Sequence, residues 1–424
     1  MSTKTLDLSR HTQMLENLES ILAHRRTHPT TASDELYYEL IIKYHRRIRE
    51  AMDKKQFIAA HTILVPTEIL YAMDLVPLHL EFTSGTMAVV LRHYEEALNA
   101  GRELGLTPEI CSTHRIMAGS FSKGWIPLPN VIVWSNQACD NTAKTAEILM
   151  EMYNIPGFFM ERPYGYSEKG VKYLTDELYD TVAWLEEQSK HKLDMSRLKE
   201  SLKLSFEMVT LHREINELRK ASPFPLPNRR CFQLMVIGWY YQGSQEAVNY
   251  FRLVRDEAKA MVAAKKGFVP NNRFRLLSIS QVPYHNWKIM DWMEREHGAC
   301  MVFSVDNDHW RDWQLDLSNP MENLARRIFL SPDGSQLYSP LNEGMVPDAV
   351  HDAAAYKVDG AIFWAHAGCR QGCATIRSIK DALQEKVGVP LLALNMDFMD
   401  PTFVSEEEMK SQFEAFFERL AERK

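Results

Sequence analysis

The sequence predicts an α/β fold of two open parallel sheets with helices on both faces, preceded and joined by helical segments. Two stretches of one design carry that expectation. In the first, Asn130-Val131-Ile132-Val133-Trp134 has the character of a buried strand, Ser135-Asn136-Gln137-Ala138-Cys139 is a loop of mostly small or polar residues, and the run from Asp140 to Met152 has apolar residues at helical spacing. In the second, Gly360-Ala361-Ile362-Phe363-Trp364 leads through Ala365-His366-Ala367-Gly368-Cys369 into a helical run from about Gln371 to Lys386. The third observation is length: 424 residues exceed what one core usually serves, so more than one domain is expected.

A cysteine in either loop sits at the carboxyl end of a parallel strand, where open α/β sheets keep their binding sites. The helix that follows favours a thiolate there, because its unpaired amides point at the sulfur.

The elements follow in order. Residues 1–57 form a charged helical N-terminal arm, with Tyr38, Ile41, Ile42, Tyr44 and Ile48 gathered mainly to one side of a helix from Glu35 to Met52. The first α/β domain spans 58–167. It opens on an apolar strand, His61 to Val65, that runs into Pro66; the proline suits a first helical turn, and Glu68 then lies where a carboxylate is electrostatically favoured. Leu75 to Leu78 is a second strand, Met87 to Leu104 a helix, Cys111 the start of another, and Ile155 to Met160 a further strand beyond the Asn130 unit. A helical linking region covers 168–269, broken by Ser222-Pro223-Phe224-Pro225-Leu226-Pro227, with an aromatic run from Phe232 to Tyr241 and a helix from Glu246 to Lys266. The second α/β domain, 270–424, contains strands at Phe274 to Ile279, Ala299 to Ser304, Gly360 to Trp364 and Gly388 to Leu394, a helix at Asn286 to His297, the stretch Ala349 to Lys357 ahead of the Gly360 strand, and a closing helix from Ser405.

Composition bounds the function. Hydrophobic residues make up 45% and charged ones 25%, with a mild, evenly spread net charge of -7, which argues against a nucleic-acid binder. The polar start and the want of any apolar run near 18 residues predict no membrane partner and a cytoplasmic protein. Six scattered cysteines are too few for a disulfide scaffold in a chain this long.

Cys111, Cys139 and Cys369 all stand at loop-to-helix junctions, 28 and 230 residues apart, spacings that fit no zinc finger, rubredoxin-like knuckle or ferredoxin run. Separate reduced thiols and a shared soft-metal site with one open position both remain open on spacing alone. Cys300 reads as a small hydrophobe in a core strand, and Cys231 as partly exposed after two arginines. Cys373 shares a helix face with Cys369, which leaves a larger cluster using all six thiols as a further alternative. His114, His285 and His366 lie near the site loops as candidate proton or hydrogen-bond donors, His366 foremost because it is three residues from Cys369.

Five stretches in register carry a likeness: Val65-Pro66-Thr67-Glu68-Ile69, Glu109-Ile110-Cys111, Asn136-Gln137-Ala138-Cys139, His366-Ala367-Gly368-Cys369-Arg370 and Asp397-Phe398-Met399-Asp400-Pro401. The chain resembles the 2-hydroxyacyl-CoA dehydratase and benzoyl-CoA reductase family, in its larger, alpha-type iron–sulfur subunit, over nearly everything after residue 55. The resemblance implies two Rossmann-like or flavodoxin-like domains with a cluster site between them. It implies Cys111, Cys139 and Cys369 as ligands of a [4Fe-4S] cluster whose fourth iron is open to water or to the thioester carbonyl of an acyl-CoA substrate, with Ser135 and Asn136 tuning the cluster from beyond the ligands.

By the same resemblance Glu68 and His366 are the catalytic candidates, Glu68 as a carboxylate near the substrate. The partners implied are a related beta-type iron–sulfur subunit and a separate, transient, ATP-hydrolysing iron–sulfur activator that injects one low-potential electron. The expected reaction is an oxygen-sensitive loss of water from an (R)-2-hydroxyacyl-CoA through a ketyl radical. The alternatives are a benzoyl-CoA-reductase-like subunit, a double-cubane reductase of small molecules, and a cluster-free scaffold. Two positions depart from the family pattern: Met73-Asp74 stands where glycine is common, and Thr402 where an arginine is often found.

Overall fold

The computed structural model describes residues 6–136, 139–269, 271–336 and 338–423. Positions 137 and 138 of the first cysteine loop, the expected domain start at 270, and the two chain ends fall outside the described residues. Two parallel four-stranded sheets organise the chain, as its α/β pattern predicts. The first contains β1 (Ile58–His61), β2 (Val76–His79), β3 (Val131–Ser135) and β4 (Gly157–Met160); the second contains β5 (Phe274–Ile279), β6 (Ala299–Ser304), β7 (Gly360–His366) and β8 (Leu391–Met396).

The strand orders are β2-β1-β3-β4 and β6-β5-β7-β8, so each sheet reads second, first, third, fourth in its own numbering. That is the flavodoxin-like order, whose ligand crevice opens at the switch point between its first and third strands. The central strands are mostly apolar and buried, as covered parallel strands must be, with Ile132, Val133, Leu276, Ile362 and Phe363 all at 0% exposure.

The described chain falls into two compact units, each discontinuous in sequence. One comprises 1–208, 236–250 and 312–330; the other comprises 209–235, 251–311 and 331–424. The N-terminal arm belongs to the first, where helix Ser9–Thr27 packs on helix Ala32–Asp53, and Tyr44 stacks on Tyr240 at 3.9 Å between ring centroids.

Local structure departs from the sequence reading in instructive ways. The first strand lies earlier than His61 to Val65, and Thr62 to Pro66 instead form the turn after it, with Leu64 in the left-handed region at φ 67°. Met87 to Leu104 is not one helix: helices Leu80–Leu91 and Tyr94–Glu103 are separated by Arg92, also left-handed at φ 55°. The aromatic run at 232–241, by contrast, is helical as a helical linking region requires, within Arg229–Tyr241. The helix after Cys369 is likewise two pieces, Arg370–Ala374 and Ile376–Val387. Among the described residues, no helix is long and apolar enough to cross a membrane.

Candidate functional site

In the first sheet, the loops leaving β1 and β3 flank the switch point; the first leads into helix Thr67–Ala72, which carries Glu68, and the second carries Cys139. Cys111 caps helix Ser112–Ser122, which packs on helices Tyr94–Glu103 and Asn141–Tyr153. Glycine makes the first of those contacts: a β-carbon at Gly119 would run into the Ala97 carbonyl, and one at Gly101 into that of Arg115. This close seating fixes the helix that begins at Cys111, and His114 on its first turn reaches the Cys139 sulfur, Nε2 to Sγ 3.3 Å.

The polar partners of His114 constrain its Nδ1. Thr145 has one hydroxyl hydrogen, which it gives to the Asn141 carbonyl at 2.8 Å. Its oxygen therefore accepts from His114 Nδ1, 3.1 Å away, which leaves Nε2 facing the Cys139 sulfur. Burial pushes the Cys139 thiol up, but His114 and the backbone N–H of Asn141 outweigh it and hold the thiol below its ordinary value. For His114 burial works downward, and the Cys139 sulfur with the Glu81 carboxylate reverses it, leaving the imidazole above its ordinary value. Glu81 is itself buried, 3.3 Å from His79 Nδ1. His79 is its neighbour in sequence, whereas His114 reaches it only through tertiary packing.

Ser135 is fully buried at the end of β3, its N–H donating to Thr62 Oγ1 at 3.3 Å. Asn136 exchanges two bonds with the Arg162 backbone beyond β4: it accepts from the Arg162 N–H at 3.0 Å and donates to its carbonyl at 3.3 Å. Both residues thereby brace the loop that presents Cys139. Glu68 is 0% exposed; it accepts from Ser205 Oγ at 2.7 Å and from Arg327 Nη2 at 3.1 Å.

In the second unit, Cys369 occupies the equivalent place, just beyond the third strand of its sheet, and caps helix Arg370–Ala374. Its N–H donates to the His366 carbonyl at 2.9 Å. Gly372 leaves space beside the thiol, since a β-carbon there would lie 3.1 Å from Cys369 Sγ. His366 is completely buried, with its ring stacked on Phe398 at 3.9 Å and Nδ1 3.4 Å from Asp397 Oδ2. His285 bonds through Nδ1 to the Phe398 carbonyl, and burial holds it below its ordinary value.

The remaining cysteines differ in kind. Cys300 is buried in β6, and Cys231, expected to be partly exposed, is also buried, its thiol donating to the Asn228 carbonyl at 3.1 Å. Burial pushes both thiols up to about 12, which keeps them protonated. Cys373 is half-buried and donates to the His366 carbonyl at 3.2 Å.

A family model described as 2-hydroxyglutaryl-CoA dehydratase, D-component, matches residues 62–420. The chain belongs to this family. Membership makes it a dehydratase-type or related acyl-CoA enzyme subunit, as its motifs imply. Among similar members is the (R)-phenyllactyl-CoA dehydratase alpha subunit of Clostridium sporogenes, 21% identical over 333 residues, covering 76% of this chain and 79% of the relative. The lactoyl-CoA dehydratase alpha subunit of Anaerotignum propionicum is 21% identical over 337 residues, covering 77% and 76%. A benzoyl-CoA reductase subunit of Thauera aromatica is 20% identical over 344 residues, covering 76% and 78%.

Proposed function

We propose that this chain is the [4Fe-4S] subunit of an oxygen-sensitive (R)-2-hydroxyacyl-CoA dehydratase, which removes water by a ketyl-radical mechanism after one-electron activation. The supporting observation is family membership together with three thiols at loop-to-helix junctions, two of them beyond the third strand of sheets with the same strand order. The donor chemistry fits the cofactor, because Cys139 is held toward the thiolate and Gly372 leaves room at the Cys369 sulfur. Cys111, Cys139 and Cys369 are the residues that would hold it. When bound, such a cluster supplies one-electron chemistry and, at an iron without a protein ligand, a Lewis acid for a thioester carbonyl.

The physical need for an electron is plain. A hydroxyl on the alpha carbon and an unactivated beta proton are the wrong way round for simple elimination. An electron added to the thioester carbonyl lets hydroxide leave the alpha carbon and makes the beta proton acidic; a base takes that proton, and the electron is returned as the enoyl product forms. In this reading His114 donates to the Cys139 sulfur and draws charge from it, while Ser135 and Asn136 keep the loop in place. Glu68 is the proposed proton carrier, and taking the proton requires it to exchange its bonds with Arg327 and Ser205. His366, whose Nδ1 accepts the Phe398 N–H at 3.4 Å, is the second proton-handling group. A related beta-type iron–sulfur subunit completes the enzyme, and a separate ATP-hydrolysing iron–sulfur activator delivers the electron.

The test is turnover of an (R)-2-hydroxyacyl-CoA by the anaerobically purified enzyme with its partner subunit and activator. Enoyl-CoA formation that needs ATP and a reductant to start, yet consumes no reductant per turnover, is the expected result. Dehydration without ATP or reductant contradicts it. Similarity to a benzoyl-CoA reductase subunit supports a second reading, in which an unsaturated acyl-CoA consumes reductant stoichiometrically.

A further inference from the structure

At the carboxyl end of β6, a mixed nitrogen and oxygen cluster that contains no cysteine stands in the second unit. Helix Met345–Ala355 carries Asp348, His351 and Asp352 on one face, by their spacing of three and four residues. His309 comes to them from the segment after β6. His309 Nδ1 lies 2.9 Å from Asp352 Oδ2, and His351 Nδ1 lies 3.1 Å from Asp352 Oδ1. One ligand atom from each of the three residues falls within 4.8 Å of the other two.

We propose that His309, His351 and Asp352 form a binding site for a borderline divalent cation of the zinc class, with a fourth position open to water. Two imidazoles and one carboxylate are a donor set such ions prefer, whereas calcium and magnesium seek oxygen alone. A tetrahedral ion with bonds of about 2.0–2.1 Å needs ligand atoms roughly 3.3 Å apart, close to the 3.1 Å that separates Asp352 Oδ1 from each of the two imidazole Nδ1 atoms.

Two further features act in the same direction. The other ring nitrogen of His309, Nε2, faces Asp348 Oδ1 at 3.6 Å, so one ring links a carboxylate to the ligand position. Metal-bound histidines are commonly oriented and made more basic in this way. Asp348 is itself fixed, since its Oδ2 accepts from Arg311 Nη2 at 2.6 Å and from Gln336 Nε2 at 2.5 Å. The backbone around His309 is held as well: the neighbouring Asp308 is buried against Arg219 and His212, and Trp310 Nε1 donates to His212 Nδ1 at 3.1 Å. Asp352 is buried, while the His351 side chain is 72% exposed, which gives an ion a route in from solvent. A bound ion would pin helix Met345–Ala355 to the end of β6.

The experiment titrates the full-length chain anaerobically with cobalt(II), then displaces it with zinc(II). One equivalent with visible ligand-field bands and no sulfur-to-cobalt charge-transfer band is expected, and the same signal persists in a Cys111→Ser, Cys139→Ser, Cys369→Ser background. His351→Ala, a change at an exposed side chain, weakens binding at least tenfold, and Asp348→Asn weakens it less. Absence of binding in the triple-serine background, or binding unchanged by His351→Ala, overturns the site and leaves Asp352 as a simple acceptor of two histidine bonds. Neither result depends on the cluster chemistry proposed above.

Discussion

Glu68 shows how far a residue's surroundings exceed its motif. The Pro66-Thr67-Glu68 stretch announces a carboxylate in a first helical turn, but the partner that neutralises it, Arg327, is 259 positions away. Arg327 Nε also lies 3.0 Å from Glu68 Oε1, although it is not aligned to donate, so the attraction is carried by charge and by the Nη2 bond. Both side chains are almost wholly removed from water, at 4% and 0% exposure. Removing one member of such a pair strands the other, and Arg327→Ala is expected to cost about 3–5 kcal/mol of stability. The double variant Glu68→Gln, Arg327→Met removes both charges and is expected to regain most of that loss in denaturant unfolding while turnover stays abolished. A folded double variant with full turnover would exclude Glu68 as the proton carrier. His114 is legible in the sequence only as a histidine near a cysteine. Its bond to the Cys139 sulfur spans 25 residues and depends on how two helices pack, which no local pattern encodes.

Elements are more legible than their joints. Buried parallel strands and amphipathic helices write their periodicity into the sequence, and β5 and β6 lie where their apolar runs place them. Breaks made by a single left-handed residue, as at Arg92, leave no mark, because arginine carries no turn signature. One joint yields a pH prediction. Glu294, near the end of helix Lys288–His297, accepts the backbone N–H of Asn228, whose side chain ties to β6 through the Ala299 carbonyl and the Met301 N–H at 3.0 and 2.7 Å. Burial pushes the Glu294 carboxyl up to about 7, against the pull of that N–H and of Arg229. The folded state therefore keeps a proton that the unfolded chain releases near 4.5. Stability from this group is intact below about 4.5, falls as pH rises, and is lost above about 7, by on the order of 3 kcal/mol. Glu294→Gln keeps the acceptor without the charge. Its thermal unfolding should match the wild type near pH 4 and exceed it at pH 8; equal midpoints at both would show that Glu294 is not held protonated.

At the scale of the molecule, the sequence conveys two α/β sheets but not that both use one strand order, since order is decided by which crossovers bury the most apolar surface. Nor does it convey that segments 236–250 and 312–330 return to the first compact unit. The cysteine loops are legible because a strand, a small-residue turn and a helix in succession define where a sulfur can stand. Whether three such sulfurs serve one cofactor is a question of composition in the purified protein. The direct measurement is iron and acid-labile sulfide in the anaerobically prepared chain, with electron paramagnetic resonance after reduction, on the wild type and on Cys111→Ser, Cys139→Ser and Cys369→Ser. The account predicts about four irons per chain with a reduced-cluster signal, and loss of most of the iron in each variant. A wild-type chain that binds no iron even after reconstitution, or a full complement of iron in any of the three variants, would contradict it.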